Sequence, residues 1–219
     1  MKDLEQALGE ISLAQNDLDH VLPVRKETAA NISAREFQAA LDRAVKDAKA
    51  PGAVAYVGYR DTKLFHGASG SRALIPDRQK AEKDTLYDMA SLTKVVCTTT
   101  CILLLHERGL LDLDQPVSTI IPIPAFSKFT VRHLLTHTSG LVSHKVWYKE
   151  TEGLDAYVER IGTLELGWPP GQRRNYSDLG FILLAKVIEV AGRDSLHAFA
   201  LANIFQPLGM ENTGFNPPP

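Results

Sequence analysis

The sequence predicts an α+β fold in which one antiparallel strand pair is followed by a series of helices. Residues 53–59 and 63–68 are rich in β-branched and aromatic side chains and flank a polar turn at 60–62, the pattern of a hairpin. Apolar residues recur at helical spacing through most of the remaining chain. Composition agrees, because 44% hydrophobic and 23% charged residues are typical of a globular chain.

The N-terminal elements are predicted to be helical. Residues 1–32 carry apolar positions at helical spacing and are interpreted as an N-terminal extension, separate from a domain over 33–219. Ser33 and Glu36 have the spacing of a capping box, which predicts a helix that runs towards Lys49 and ends before Pro51. After the hairpin, further helices are predicted at 92–108, 131–136, 154–161, 179–191 and 196–203.

Charge and hydropathy exclude several classes of function. A formal net charge of −2 gives no reason to expect a nucleic-acid or anionic membrane partner. No run reaches the ~18 apolar residues of a membrane span, and the acidic, amphipathic N-terminus is unlike a signal peptide. We therefore expect a cytoplasmic protein. Cys97 and Cys101 lie four apart in an apolar run and are interpreted as core thiols.

The candidate nucleophile is Ser91, which precedes the most apolar run of the chain, residues 95–105. In a helix, Ser91 and Lys94 would lie one turn apart on one face. The free N–H groups of a helix N-terminus favour developing negative charge, and a desolvated lysine can take the serine proton. The alternative is that Ser91 only caps the helix and Lys94 is solvated.

Tyr176 is the candidate third member of this site. It lies in a polar stretch before a second apolar run at 179–190. A phenol beside an ammonium loses its proton more easily, so Ser91, Lys94 and Tyr176 together could form a proton relay. Taken alone, Tyr176 would be a half-buried aromatic with a hydrogen-bonded hydroxyl.

Beyond these residues, several stretches are similar, in order, to the class C β-lactamase-like and penicillin-binding-protein-like serine hydrolases. They are 51–54 (PGAV), 87–94 (YDMASLTK), 107–116 (ERGLLDLDQP), 133–141 (HLLTHTSGL), 169–171 (PPG), 176–178 (YSD) and 207–210 (PLGM). The resemblance implies a β-lactamase/transpeptidase-like fold without cofactor. It also implies that Ser91 is the nucleophile and that Lys94 and Tyr176 transfer protons. His133 and His137, four apart, then belong to a structural loop, and no metal site is expected.

Asp178 departs from the pattern of this family, which usually has Asn there. An Asn side chain donates and accepts hydrogen bonds, whereas an ionised Asp only accepts. An amide substrate that needs the donor would then lose about 1–3 kcal/mol. The carboxylate would also keep Lys94 charged and shift proton transfer to Tyr176. Alternatively, Asp178 pairs with Lys94 and has little effect on substrate choice.

A third motif of the family, Lys- or His-x-Gly on a late strand, is expected well after residue 210 and is not present in these 219 residues. In the family, that strand supplies one oxyanion-hole N–H, and losing one such donor costs a factor of ~10²–10³ in rate. We therefore expect a partial domain whose later sheet strands are missing, with weak activity by itself. A dimer or a complementing C-terminal polypeptide would complete it.

The predicted function is a serine hydrolase that forms an acyl-serine intermediate, acting on carboxylic esters. β-Lactams or D-amino-acid peptides are alternative small-molecule substrates with the same chemistry. A different class of function also fits, namely an inactive binding or regulatory module that retains only the front of the fold. The catalytic residues would be Ser91, Lys94 and Tyr176, with Asp178 in contact with substrate.

Overall fold

The structure is a computed structural model that describes residues 33–47 and 50–217. The described residues form two compact units, of which the first ends at Tyr87 and the second begins at Asp88. This boundary falls inside the domain predicted over 33–219, while the predicted N-terminal extension, 1–32, lies outside the described residues. The division into an extension and one domain therefore stays a prediction.

The described part of the first unit begins with Ser33 and helix α1 (Ala34–Asp47). Its N-terminus has the predicted capping box, because the Ser33 amide and hydroxyl donate to the Glu36 carboxylate at 2.7 and 2.8 Å and the Glu36 amide donates to Ser33 Oγ at 3.3 Å. This exchange satisfies N–H groups that have no partner within the helix. The last described helical residue is Asp47, slightly before the predicted end.

An antiparallel sheet completes this unit, with strand order β1 (Gly52–Tyr59), β2 (Thr62–Ala73) and β3 (Gln79–Lys80). The predicted hairpin is confirmed, with Tyr59 paired to Thr62 next to the turn. Two details of the prediction were wrong. Strand β2 continues beyond Ala68, and β3 was missed because two polar residues show no alternation that a sequence pattern can detect.

The second unit is helical. A π-helical turn, Lys94–Thr99, leads directly into α2 (Thr100–Glu107), and two 3-10 turns follow at Val117–Thr119 and Pro124–Lys128. The remaining helices are α3 (Val131–Leu135), α4 (Leu154–Gly162), α5 (Asp178–Gly192) and α6 (Leu196–Ala200), the last continued by a π-helical turn, Leu201–Phe205. Each predicted helix is present, with ends shifted by a few residues at most.

Helix α5 is the centre of the core of this unit. It packs against α2, α3, α4 and α6, and its apolar side chains Leu183, Leu184, Val187 and Ile188 are fully buried. Cys97 and Cys101 belong to the same core as free thiols, as predicted. Because α5 begins at Asp178, the core fixes the position of the predicted site residues at its N-terminus. Among the described residues, no helix is both long and apolar enough to cross a membrane.

Candidate active site

The four predicted site residues all lie in the helical unit, and the structure brings them together. The Lys94 ammonium lies 3.2 Å from Ser91 Oγ and 2.7 Å from Asp178 Oδ1. Tyr176 is the third neighbour of this ammonium, which lies 5.0 Å from the centre of the Tyr176 ring, and both Ser91 and Lys94 lower the pKa of the Tyr176 phenol. Residues separated by more than 80 positions in the chain thus form one connected polar cluster.

Ser91 lies in an exposed turn directly before helical residues 92–93, which lead into the π-helical turn at Lys94. The preceding residue, Ala90, has φ 43°, a conformation that is costly for a non-glycine residue, by about 1–3 kcal/mol. The Ala90 amide donates to Asp88 Oδ1 at 2.8 Å, which helps to hold this turn. Within the part of the chain that the structure describes, no hydrogen bond engages the Ser91 amide. The Ser91 N–H is therefore free to donate to a substrate oxygen.

The Lys94 side chain, only 15% exposed, is held as an ammonium ion. Partial burial lowers its pKa, but hydrogen bonds with Asp178 and Tyr176 and the negative charge of both groups raise the pKa above its ordinary value. An ammonium has three N–H donors; Ser91 Oγ and the Asp178 carboxylate lie within reach as acceptors, and the Tyr176 ring lies 5.0 Å away. The surroundings therefore favour the charged form of the lysine.

The pKa of the Tyr176 phenol is lowered, which suits this group to accept a proton. Hydrogen bonds from Ser91 and from Lys94, together with the lysine charge, lower the pKa of its phenol, against a small opposing effect of burial and of Asp178. The Lys94 ammonium also lies 5.0 Å from the centre of the Tyr176 ring, within the range of a cation–π contact. The site thus stabilises the phenolate form of Tyr176.

The segment that carries Tyr176 and Asp178 is fixed by hydrogen bonds to residues 141–143. Asn175 Nδ2 donates to the Leu141 carbonyl at 3.0 Å, and the Asp178 amide donates to the Ser143 carbonyl at 2.8 Å. The Ser177 hydroxyl caps α5 by accepting from the Gly180 amide at 3.2 Å. These bonds set the direction in which α5 starts and therefore the position of both side chains.

His137 contacts this segment and was not among the predicted site residues. Its ring centre lies 4.5 Å from that of Tyr176, and its Nδ1 accepts the Ser177 amide at 3.0 Å. The resemblance assigned the surrounding stretch to a structural loop. No pattern in the sequence indicates the contact, because the two partners lie 40 residues apart and meet only in the fold.

The other histidine of this stretch, His133, has a structural role. Its Nδ1 accepts the Thr130 amide at 3.1 Å, and the Thr130 hydroxyl caps the His133 amide in return at 3.4 Å, so the pair closes the N-terminus of α3. Gly140 follows with φ 85°, and a Cβ there would collide with the Trp168 carbonyl. Across the described ranges, no cluster of three or more His, Cys, Asp or Glu side chains could hold a metal ion.

Comparison with known proteins adds an independent finding. The profile of the beta-lactamase family matches residues 37–219. The chain is 33% identical over 215 residues to the esterase EstB of Burkholderia gladioli, and this match covers 85% of this chain and 52% of EstB. It is 31% identical over 168 residues to the penicillin-binding protein 4* of Bacillus subtilis, covering 68% of this chain and 35% of that protein.

Among solved structures, a class C β-lactamase aligns with a TM-score of 0.74 at 22% identity, covering 86% of this chain and 53% of that chain. This likeness shows the fold alone. The chain spans about half the length of the EstB protein that it matches. The predicted β-lactamase/transpeptidase-like fold, in partial form, is thereby confirmed.

Proposed function

From the premise that the chain belongs to the β-lactamase family, we propose that it is the nucleophile-bearing part of a serine hydrolase that forms an acyl-serine intermediate on carboxylic esters. The observation that carries the proposal is the contact of the Lys94 ammonium with Ser91 Oγ, Asp178 and the Tyr176 phenol. A nucleophilic hydroxyl, a fixed cation and a phenol of lowered pKa are the parts that acyl transfer requires.

The roles follow from the charges. Because Asp178 holds Lys94 in its charged form, Tyr176 is the proton acceptor and Lys94 stabilises its phenolate. In acylation, the Ser91 hydroxyl proton passes to Tyr176 while Oγ bonds to the ester carbonyl carbon. The carbon–oxygen bond to the alcohol breaks, and Tyr176 gives the proton to the departing oxygen. In deacylation, a water molecule gives a proton to Tyr176 as its oxygen bonds to the acyl carbon. The bond from that carbon to Ser91 Oγ breaks, the acid departs, and Tyr176 returns the proton to Oγ.

The free amide of Ser91 is the oxyanion donor that this chain itself provides. It lies at the start of the helix, where backbone N–H groups favour developing negative charge. The Ala90 conformation, φ 43°, turns the chain into this helix immediately before the nucleophile. We propose that the strained turn aims both Oγ and the amide of Ser91 at the same substrate carbonyl.

Two observations favour esters over amides. The match to a protein named an esterase, EstB, covers 85% of this chain. In addition, the half-exposed Asp178 carboxylate accepts hydrogen bonds but donates none, so an amide carbonyl at this point would lack its donor, whereas a simple ester does not depend on one. β-Lactams and D-amino-acid peptides are the alternative substrates, favoured by the match to penicillin-binding protein 4*.

The alternative of another class is a binding or regulatory module without catalysis. Such a module would keep the Lys94–Asp178 pair as a structural contact. It would not turn over an ester, and its Ser91 would not react with an acylating or phosphonylating reagent.

The test is covalent labelling with a fluorophosphonate probe, followed by peptide mapping, together with p-nitrophenyl acetate hydrolysis. We expect one adduct, on Ser91, and its complete loss in Ser91→Ala. Ser127→Ala is the matched control, because Ser127 is an exposed serine of the same unit whose hydroxyl donates to the Pro124 carbonyl at 2.7 Å. Labelling that persists in Ser91→Ala, or an unreactive wild-type chain, would contradict the hydrolase proposal.

A further inference from the structure

His137 contacts the segment around Tyr176 through its carbonyl, its imidazole nitrogen and its ring, and no sequence pattern indicates these contacts. Its carbonyl accepts the Asn175 amide at 2.8 Å, its Nδ1 accepts the Ser177 amide at 3.0 Å, and its ring lies beside that of Tyr176 at 4.5 Å. One residue therefore holds the residues on both sides of the tyrosine and the tyrosine ring itself.

The backbone of His137 is committed to this arrangement. Its φ of 59° lies in the left-handed region, which few non-glycine residues occupy. This conformation follows the end of α3, where the His137 amide still donates to the Leu134 carbonyl at 3.2 Å. Because the core fixes α3, the imidazole has a defined origin from which it reaches the Tyr176 segment.

The contact with Ser177 requires a particular form of the imidazole. Nδ1 accepts a backbone N–H, so the neutral ring carries its proton on Nε2. Protonation of Nδ1 would place two N–H groups against each other and break the bond. The charged groups around the ring are Arg174, Lys94 and Asp178. Burial first, then the positive charge of Arg174 and of Lys94, lower the pKa of His137, and Asp178 opposes them only in part.

A second aromatic ring completes the surroundings of His137. Phe181, on the first turn of α5, lies 5.0 Å from the imidazole and 5.7 Å from the Lys94 ammonium. The imidazole thus touches the tyrosine and the phenylalanine, and the ammonium contacts both rings as well. A change in the position of the imidazole would be transmitted to the phenol through direct ring contact.

We propose that His137 is a positioning residue for Tyr176: as a neutral Nδ1 acceptor and ring partner, it holds the phenol beside Ser91 and Lys94. The inference rests on the proposed function for its importance to acyl transfer, but its structural content concerns only Tyr176. According to this proposal, the loop after α3 determines the position of the Tyr176 ring, and the lowered pKa of the phenol depends on that position.

The experiment compares the His137→Ala and His137→Asn variants with the unsubstituted protein. Asn tolerates the left-handed conformation and offers a side-chain acceptor, so it should restore most of what Ala loses. His197→Ala is the matched control, because His197 also accepts a backbone amide at Nδ1, from Phe215 at 3.4 Å, and also contacts a ring, that of Phe215.

Two readouts are used. The first is the phenol pKa of Tyr176, from the ultraviolet titration difference between each protein and the same protein with Tyr176→Phe. The second is the rate of Ser91 labelling by a fluorophosphonate. In His137→Ala we expect the phenol pKa to rise towards its ordinary value and labelling to slow by about tenfold to a hundredfold, the effect of a displaced catalytic group. His137→Ala should add no further loss in a Tyr176→Phe background.

An unchanged Tyr176 pKa in His137→Ala, or an equal change in His197→Ala, would overturn the inference. If His137→Ala does not fold, ¹⁵N NMR of the wild-type imidazole decides, because an Nδ1-protonated tautomer is incompatible with the proposed contact. Failure of the proposed function is distinguishable: Ser91 would then not react in the wild type, while the Tyr176 titration would still report on His137.

Discussion

Two lysine–aspartate pairs that involve helix α5 have nearly the same N–O distance and different surroundings. Lys94 lies 2.7 Å from Asp178 at the N-terminus of α5, and Lys186, within α5, lies 2.6 Å from Asp155. Both lysines are largely buried, and the pKa of each is raised, at Lys186 first by its hydrogen bond with Asp155.

The difference lies in what else each ammonium touches. Lys186 has a second carboxylate, Glu189, at 3.6 Å, which makes its cluster a purely ionic one between α4 and α5. Lys94 has instead a hydroxyl and a phenol, Ser91 and Tyr176. A charged, well-paired lysine is thus not itself a sign of catalysis. The neighbours that can lose or accept a proton near neutral or basic pH give the first pair its proposed chemistry.

The largest expected effect breaks this comparison directly. Lys94→Met removes the cation beside the phenol, so the pKa of Tyr176 should rise and Ser91 labelling should fall by about 10²–10⁴-fold, the usual contribution of a proton-transfer system. Lys186→Met, the matched control, should change labelling by no more than about threefold, as expected for an ion pair whose carboxylate is largely exposed. Equal losses in both variants, measured by fluorophosphonate kinetics, would mean that Lys94 acts only through stability.

A smaller effect is expected when the aspartates are exchanged for asparagines. Asp178→Asn removes a negative neighbour that raises the pKa of Lys94 and opposes ionisation of Tyr176. Both pKa values should therefore fall, and both limbs of the pH profile of Ser91 acylation should move to lower pH. Asp155→Asn should leave the profile in place. A profile unmoved by Asp178→Asn would show that this carboxylate is not coupled to the reacting groups.

The same contrast shows what the sequence could and could not predict. The helices and the strand pair follow from periodicity and from the capping box at Ser33, and the site residues follow from the Ser91–Lys94 spacing and the family resemblance. An interaction of Asp178 with Lys94 was expected in both alternatives, which differ in its effect on substrate choice. The contact of His137 with the Tyr176 segment and the short strand β3 were not, because tertiary contacts and two-residue pairings have no local sequence pattern.

The smallest expected effect concerns stability. A double-mutant cycle on Lys186 and Asp155, measured by urea unfolding, should give a coupling energy of about 0.2–1 kcal/mol. High salt should reduce that energy, since the Asp155 side chain is 78% exposed. Because the pKa of Lys186 is raised in the folded protein, the stabilisation by this ion pair is complete at any pH below the pKa that the lysine has in the unfolded chain. It is lost as the pH rises through the higher folded value.

The corresponding cycle on Lys94 and Asp178 should resist salt better, because Lys94 is 15% and Asp178 50% exposed, and partly buried charges are screened less. The two cycles thus compare the salt sensitivity of a more buried ion pair with that of a more exposed one, each with one partner on α5. If salt weakens both couplings equally, the polar cluster around Ser91 is as open to solvent as the ionic cluster around Lys186. The ammonium at Lys94 would then owe its charge to hydration and not to the polar groups around it.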